Sequence, residues 1–515
     1  FPRFAVRPLA GLSLGAALVA ALFLFAASSL AGASASPGAL FAAPNGGGSA
    51  CTQARPCAAQ TALDQAGAGD TVYLSHGRYM GDGDCVVQIP SDMNVYGGWD
   101  GTTTAPVVRD PIRFPTILDG EGARRGICVA EGRRVVLDGL NVINGHADEK
   151  GAGLYARDAH LTIRHSGLYS NVIASESDAA FGAGLMLEGG SLELDSVRLQ
   201  WNSVWATRQS YGGGMAISGT TPALITACEF LDNDAWHGAG ASILNWSGAD
   251  PAHVEVSIQD SLFVDNGRGK GAGEAYGGYS GALEVSRAIL TLTDSQFLNN
   301  RASNDWGAIL AADSMVMMTG NTLAHNESGR TSALVLWDVS PFTLTNNVIV
   351  DNQNTYLGRQ EPAVDVRGSA GALVHNTLAR NLGYAGLRVR NGSVVTLTNT
   401  ILLSHTVGIT VSAGSAAHLD GTLWGLGPWA NGEDWAGEGT IDTGLVNVWG
   451  DPAFRQPAAG DYHITAGSAA RDAGLATWVV VDIDGQTRPA GAAPDIGADE
   501  YVPLSPRVRL PLALK

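Results

Sequence analysis

The sequence predicts an all-β chain wound as a parallel β-helix, and three observations predict it. A six-residue pattern, clearest as Ser261-Leu-Phe-Val-Asp-Asn266, returns nine times between Ser166 and His405. Its Asn positions 171, 202, 233, 266, 300, 326, 352 and 381 follow one another at 31, 31, 33, 34, 26, 26 and 29 residues, the period of a solenoid. Glycine-rich starts at Gly151, Gly182, Gly212, Gly238 and Gly307 lead into period-two apolar alternation, the mark of short strands.

A unit of about thirty residues with two or three short strands cannot close a core alone, so successive units stack coil on coil. Equivalent residues then lie roughly 4.8 Å apart, and each alignment column becomes a ladder. Ser166, Cys228, Ser261, Ser295, Asn321, Asn347, Asn376 and Thr400 share the first column. Leu168, Phe230, Phe263, Phe297, Leu323, Ile349 and Leu378 share the column two later and are expected to face inward. The terminal Asn is expected at a bend, its amide bonded to the next coil and its backbone left-handed. The copy from Ser196 to Asn202 is one residue longer and reads as a bulge or local insertion. The last copy, Thr400 to His405, loses the Asn.

On these FxxN-type and GGA(I/L)-type repeats the chain resembles the secreted right-handed parallel β-helix proteins. That group includes polymorphic outer-membrane-protein-like surface chains and the pectate-lyase-like superfold. The resemblance spans roughly residues 50 to 445 and implies a right-handed solenoid of about a dozen coils. It leaves activity open, because this fold carries lyases, hydrolases, adhesins and plain spacers.

In chain order, residues 1–35 read as a signal peptide. Arg3 and Arg7 precede an apolar run from Leu9 to about Ala31, and Ala33-Ser-Ala35 supplies the small-x-small cleavage site. If uncleaved, this segment is the chain's contact with a membrane; a secreted or cell-surface protein is expected. Residues 36–100 resemble the N-terminal cap of such β-helices, with a short helix from Ala58 to Ala66 over the open end and Gly69 to Leu74 as the first strand. Cys51 and Cys57 can close a small loop there, and Cys85 and Cys128 lie in strand-like runs that adjacent coils could pair. Cys228, in a column of serines, reads as a buried small residue.

Residues 101–445 hold the repeats. From 446 to 502 the pattern changes: Asp451-Pro-Ala-Phe454, Gly460-Asp-Tyr-His463, Asp482-Ile-Asp-Gly485 and Asp495-Ile-Gly-Ala-Asp-Glu-Tyr501 resemble the choice-of-anchor Q module found at the end of surface β-helix proteins. A small C-terminal β module is expected, followed by a tail, 503–515, too short for a membrane anchor.

With 67 glycines, 16 % charged residues and a net charge of −18, the chain is acidic and turn-rich. That argues against nucleic acid as a partner and against anionic glycans held by a broad basic surface, and it suits an extracellular protein that could bind calcium; a monomer is expected. Chemistry must lie outside the filled coils. One candidate is an aromatic set, Trp201, Trp205, Trp236, Trp246 and Trp306 with Tyr276 and Tyr279, able to stack on the sugar rings of an extracellular polysaccharide or cell-surface glycan. The alternative is that these rings pack on one another and shield the corner.

A second candidate is acidic: Asp232, Asp265 and Asp351 stand before the repeat's Asn, and Asp195, Asp260 and Asp294 form another column. Stacked carboxylates suit a cation such as Ca2+, and with Arg268 and Lys270 they could serve a polysaccharide lyase or glycosidase. Solvated surface charge is the plainer reading. Asp482 and Asp484 form an Asp-x-Asp-Gly turn that could hold calcium or be an Asx turn. His237 and His253 lack metal-ligand spacing. The readings that remain are a non-catalytic glycan-binding rod, an extracellular polysaccharide-cleaving enzyme, and a structural spacer.

Overall fold

Left-handed backbone at three places per turn bends the chain into coils. In one coil the strands Leu283–Ser286, Ile289–Thr293 and Gln296–Leu298 are each followed by a left-handed residue, Arg287, Asp294 and Asn299, with φ of 57°, 48° and 55°. Behind these come Ala288, Ser295 and Asn300, all fully buried. Each strand pairs in parallel with its counterpart one coil on: Leu283 with Ile309, Leu290 with Val316, Phe297 with Leu323. Repetition makes three walls around one core, here called first, second and third in chain order. The computed structural model describes residues 38–219, 221–245, 254–267, 278–356 and 360–503. The expected signal peptide (1–35), Trp246, His253, Arg268, Lys270, Tyr276 and all but the first residue of the tail lie outside the described residues.

The inward column of the third wall is a stack of apolar side chains, with Phe230, Phe263 and Phe297 face to face at 4.4 and 4.6 Å between centroids. Beside it runs the Asn ladder. Asn233 Oδ1 accepts from the Asn202 backbone N–H at 3.1 Å and from its Nδ2 at 3.0 Å, while Asn233 Nδ2 donates to Leu199 O at 2.8 Å and Asn266 Oδ1 at 3.1 Å. These bonds satisfy groups that the bend removes from the strand ladder.

Three sequence expectations are corrected here. The left-handed residue is the one before the Asn (Ser170, Trp201, Asp232, Asp265, Asn299, His325, Asp351, Arg380, Ser404), and the Asn follows it. The copy at Ser196 carries no bulge: Arg198 pairs with Gly167 and Glu229 in unbroken register, so Val197 takes the column of Ser166 and Cys228. Asp195 pairs with Arg164 and Thr226, one position ahead of the column of Asp260 and Asp294. The ladder also survives its lost Asn. His405 Nε2 sits 3.2 Å from Asn381 Nδ2, and Asn431 Oδ1 accepts from the His405 backbone N–H at 3.0 Å.

At the N-terminal end, the strand Ala39–Ala42 pairs with Asp70–Ser75, one strand earlier than the sequence indicates. The helix Ala59–Gln65 buries Ala59, Ala62 and Leu63 against the end of the core. Disulfides join Cys51 to Cys57 and Cys85 to Cys128, and Cys228 is free and buried.

After Gly450 the chain turns back along the outside of the third wall. Phe454–Gln456 and Asp461–Ile464 form an antiparallel pair. The alternate residues of the wall are apolar there: Ala324, Val350, Ala379 and Leu403 pack under Phe454, Tyr462, Ile464 and Ile496. Among the described residues no helix is long and apolar enough to cross a membrane.

Candidate functional site

Among the described residues, the loops between a corner Asn and the next glycine-rich start pair along the first wall. Examples are Val172–Ala174 with Ser203–Trp205 and Ala179–Phe181 with Gln209–Tyr211, around a small core of Ala147, Ile173, Val204 and Ala235. In consequence the outward residues Met186, Ala216, Ser242 and Leu310 are buried.

Along this loop stack runs a row of rings. Phe181, Tyr211, His237, Tyr279, Trp306 and Trp337 follow at 5.1, 4.5, 4.9, 6.2 and 5.8 Å between centroids. The spacing of coils, about 4.8 Å, matches the separation of stacked rings, so one ring per coil is a favourable column. Lys150 Nζ lies 5.9 Å above Phe181 at one end, and Arg367 Cζ 5.6 Å above Trp337 at the other. In the middle His237 Nδ1 is 3.0 Å from Glu284 Oε2, which also accepts from Ser280 Oγ at 2.8 Å. Burial and the Glu284 charge push the Tyr211 hydroxyl up to about 12.

At the Trp337 end three guanidiniums meet one buried carboxylate. Asp365 is fully buried and lies 2.7, 2.7 and 2.8 Å from Arg367, Arg388 and Arg390. Arg388 also reaches Glu361 at 2.8 Å. Burial alone would raise the Asp365 pKa, but the guanidiniums, Arg388 foremost, hold it at about 2. Three cations against two anions leave a local positive excess on a chain whose net charge is −18.

Of the residues singled out in the sequence, Trp306 and Tyr279 belong to this row and Trp236 is the half-buried neighbour of His237, its backbone N–H donating to Ser210 Oγ at 2.9 Å. Trp201 and Trp205 are 53 % and 47 % exposed, Trp201 at the left-handed corner and Trp205 on its loop strand. Asp232 and Asp265 occupy that same corner in adjacent coils, where short polar side chains tolerate left-handed backbone. Asp351, at the same left-handed corner of a later coil, also pairs with Arg380 at 3.0 Å and accepts from Tyr462 Oη at 2.5 Å. The sequence reasoning missed Phe181, Tyr211, Trp337 and the Asp365 cluster. A signal existed for part of the row: Lys150, Phe181, Tyr211, His237 and Trp306 each immediately precede a glycine-rich start.

A cleft of about 340 Å³ lies between the third wall and the returning C-terminal segment, lined by Asp294, Thr322 and Val348 from the wall and by Tyr462, His463 and Asp484 from the segment. Asp482 does not face it as a free carboxylate. Its oxygens accept from the backbone N–H groups of Asp484, Gln486 and Glu500 at 3.0, 2.7 and 3.0 Å, an Asx turn. Burial and the nearby Asp260 raise the Asp294 pKa, and burial pushes Asp499, also on the cleft, up to about 6.

A family model described as a right handed beta helix region matches residues 277–423. The chain is a right-handed parallel β-helix. Among solved structures this β-helix overlaps a pectate lyase, Pel9A, at 10 % identity and a TM-score of 0.27, over 91 % of this chain and 97 % of that one. The A-module of the mannuronan C-5 epimerase AlgE6 of Azotobacter vinelandii overlaps at 13 % identity and a TM-score of 0.26, over 76 % of this chain and 94 % of that one. PfbA, a surface adhesin of Streptococcus pneumoniae, overlaps at 13 % identity and a TM-score of 0.21, over 76 % and 87 %. At these overlaps neither activity nor ligand is carried across. Among curated protein sequences none matches the chain.

Proposed function

We propose that this chain is a secreted or cell-surface rod that binds extracellular glycan noncovalently along the loop stack of the first wall. The observation that supports this most is the ring row that ends at Trp337, which is 40 % exposed and lies beside Arg367. An exposed indole stacks on the apolar face of a sugar ring, and guanidinium forks bind carboxylate, sulfate or hydroxyl oxygens. Trp201 and Trp205, exposed on another coil, offer a second platform. In this reading Asp232 and Asp265 shape the corner backbone and perform no chemistry.

The test is electrophoresis of the secreted protein through gels containing neutral or uronate-rich polysaccharide, followed by a stain for polymer. Retardation with polymer intact is expected, with Trp337→Ala losing about tenfold in apparent affinity at an unchanged melting temperature. Clearing of the polymer would overturn the non-catalytic reading. Equal retardation of wild type and Trp337→Ala would move the binding face to Trp201 and Trp205.

A further inference from the structure

We propose that His463, Asp484 and Asp499 form a binding site for a divalent transition-metal ion of the zinc class, with its open side on the cleft between the C-terminal segment and the third wall. One ligand atom from each residue lies within 4.8 Å of the other two. The three come from separate pieces of the segment. His463 is on the strand Asp461–Ile464, Asp484 on the turn pinned by Asp482, and Asp499 in the loop that the buried pair Arg488 and Glu500 holds at 2.9 Å. One imidazole with two carboxylates suits a borderline ion; calcium prefers an all-oxygen shell.

Two observations beyond proximity point to an ion. His463 Nδ1 is bonded to Asp461 Oδ1 at 2.5 Å, which turns Nε2 towards Asp484 Oδ2 at 2.8 Å. A rear carboxylate that fixes the tautomer of a histidine and leaves its other nitrogen facing oxygen donors is the arrangement of metal-bound imidazoles. Asp499 is 7 % exposed and accepts from the Ile464 N–H at 2.7 Å with one oxygen. Among the described residues no hydrogen bond reaches its second oxygen, although the residue lines the cleft. That second oxygen is open to the cleft rather than sealed from it, so an ion entering there can reach it. Three protein ligands leave a fourth position towards the cleft, where water or a sugar hydroxyl can enter.

The experiment titrates the EDTA-stripped chain with Zn2+ and, separately, Ca2+ by calorimetry, and records the visible spectrum with Co2+. One equivalent of Zn2+ is expected to bind, with Ca2+ at the same concentration failing to displace it. Asp484→Asn, at a side chain 43 % exposed and therefore safe for folding, should weaken Zn2+ at least tenfold. His463→Ala should abolish the Co2+ absorption, and Asp461→Asn should weaken Zn2+ by about 10- to 100-fold while leaving all three ligands in place. Absence of stoichiometric Zn2+ uptake by the wild-type chain would overturn the site. So would equal affinity in Asp484→Asn and His463→Ala, with melting curves confirming that both variants fold.

Discussion

Among the described residues the first wall is covered by loops of its own coils, whereas the later coils of the third wall are covered by a single segment from far along the sequence. The bonds that hold this second cover are long-range: Tyr462 to Asp351 across 111 residues, and Asn346 Nδ2 to Val481 O, at 2.9 Å, across 135. A cover made coil by coil inherits the solenoid's period and becomes a row of rings. A cover laid on once has no period, and it makes a cleft where two different surfaces meet. The same interior thus supports an extended face on one side and a local pocket on the other.

The comparison is broken most severely from inside. Asn233→Ala removes the acceptor for two groups of Asn202 and two donated bonds, and should cost about 3 kcal/mol in urea unfolding, because buried donors are left unpaired. An unchanged midpoint would mean that the ladder does not hold the coils.

The next effect is a dependence on pH. His405, within the ladder, is almost fully buried, and burial lowers its pKa to about 4; His375, packed against the C-terminal segment at Asp495 O and Thr477 Oγ1, is lowered to about 3 for the same reason, helped by Arg488. Both stay neutral in the fold while the unfolded chain, at about 6.5, takes up protons. Stability is therefore full above about pH 6.5 and falls as pH drops towards these folded values. By pH 5 His405 alone should account for about 2 kcal/mol, and His405→Asn, which restores the ladder residue, should flatten that part of the profile. A variant that keeps the wild-type slope between pH 7 and 5 would contradict the assignment.

Tyr462→Phe sharpens the contrast between the two covers. Loss of its bond to Asp351 should cost about 1 kcal/mol and speed amide exchange through residues 454–464, leaving the amides of Asn202 and Asn233 as slow as before. Equal acceleration in both places would mean that cover and ladder open together. Trp337→Ala, at a partly exposed ring, should change stability least and glycan retention most.

By itself the sequence determined the solenoid, its inward column and its Asn ladder. Each is enforced locally and repeatedly: an apolar side chain at one position, a left-handed corner, and a buried amide that must find its partners one coil away. The sequence placed the left-handed corner on the Asn, whereas the backbone puts it one residue earlier, at Asp232 and Asp265. The lost Asn at His405 and the extra residue at Ser196 were misleading because a pattern of letters does not state which atom substitutes for another, or where the register begins. The ring row was half legible, since Phe181, Tyr211, His237 and Trp306 precede glycine-rich starts, but Tyr279 and Trp337 break that rule and join through contact alone. Only the tertiary structure decided that the C-terminal segment lies on the third wall. It alone brought His463, Asp484 and Asp499 together and turned Asp482 away, because those contacts join parts of the chain with no shared period.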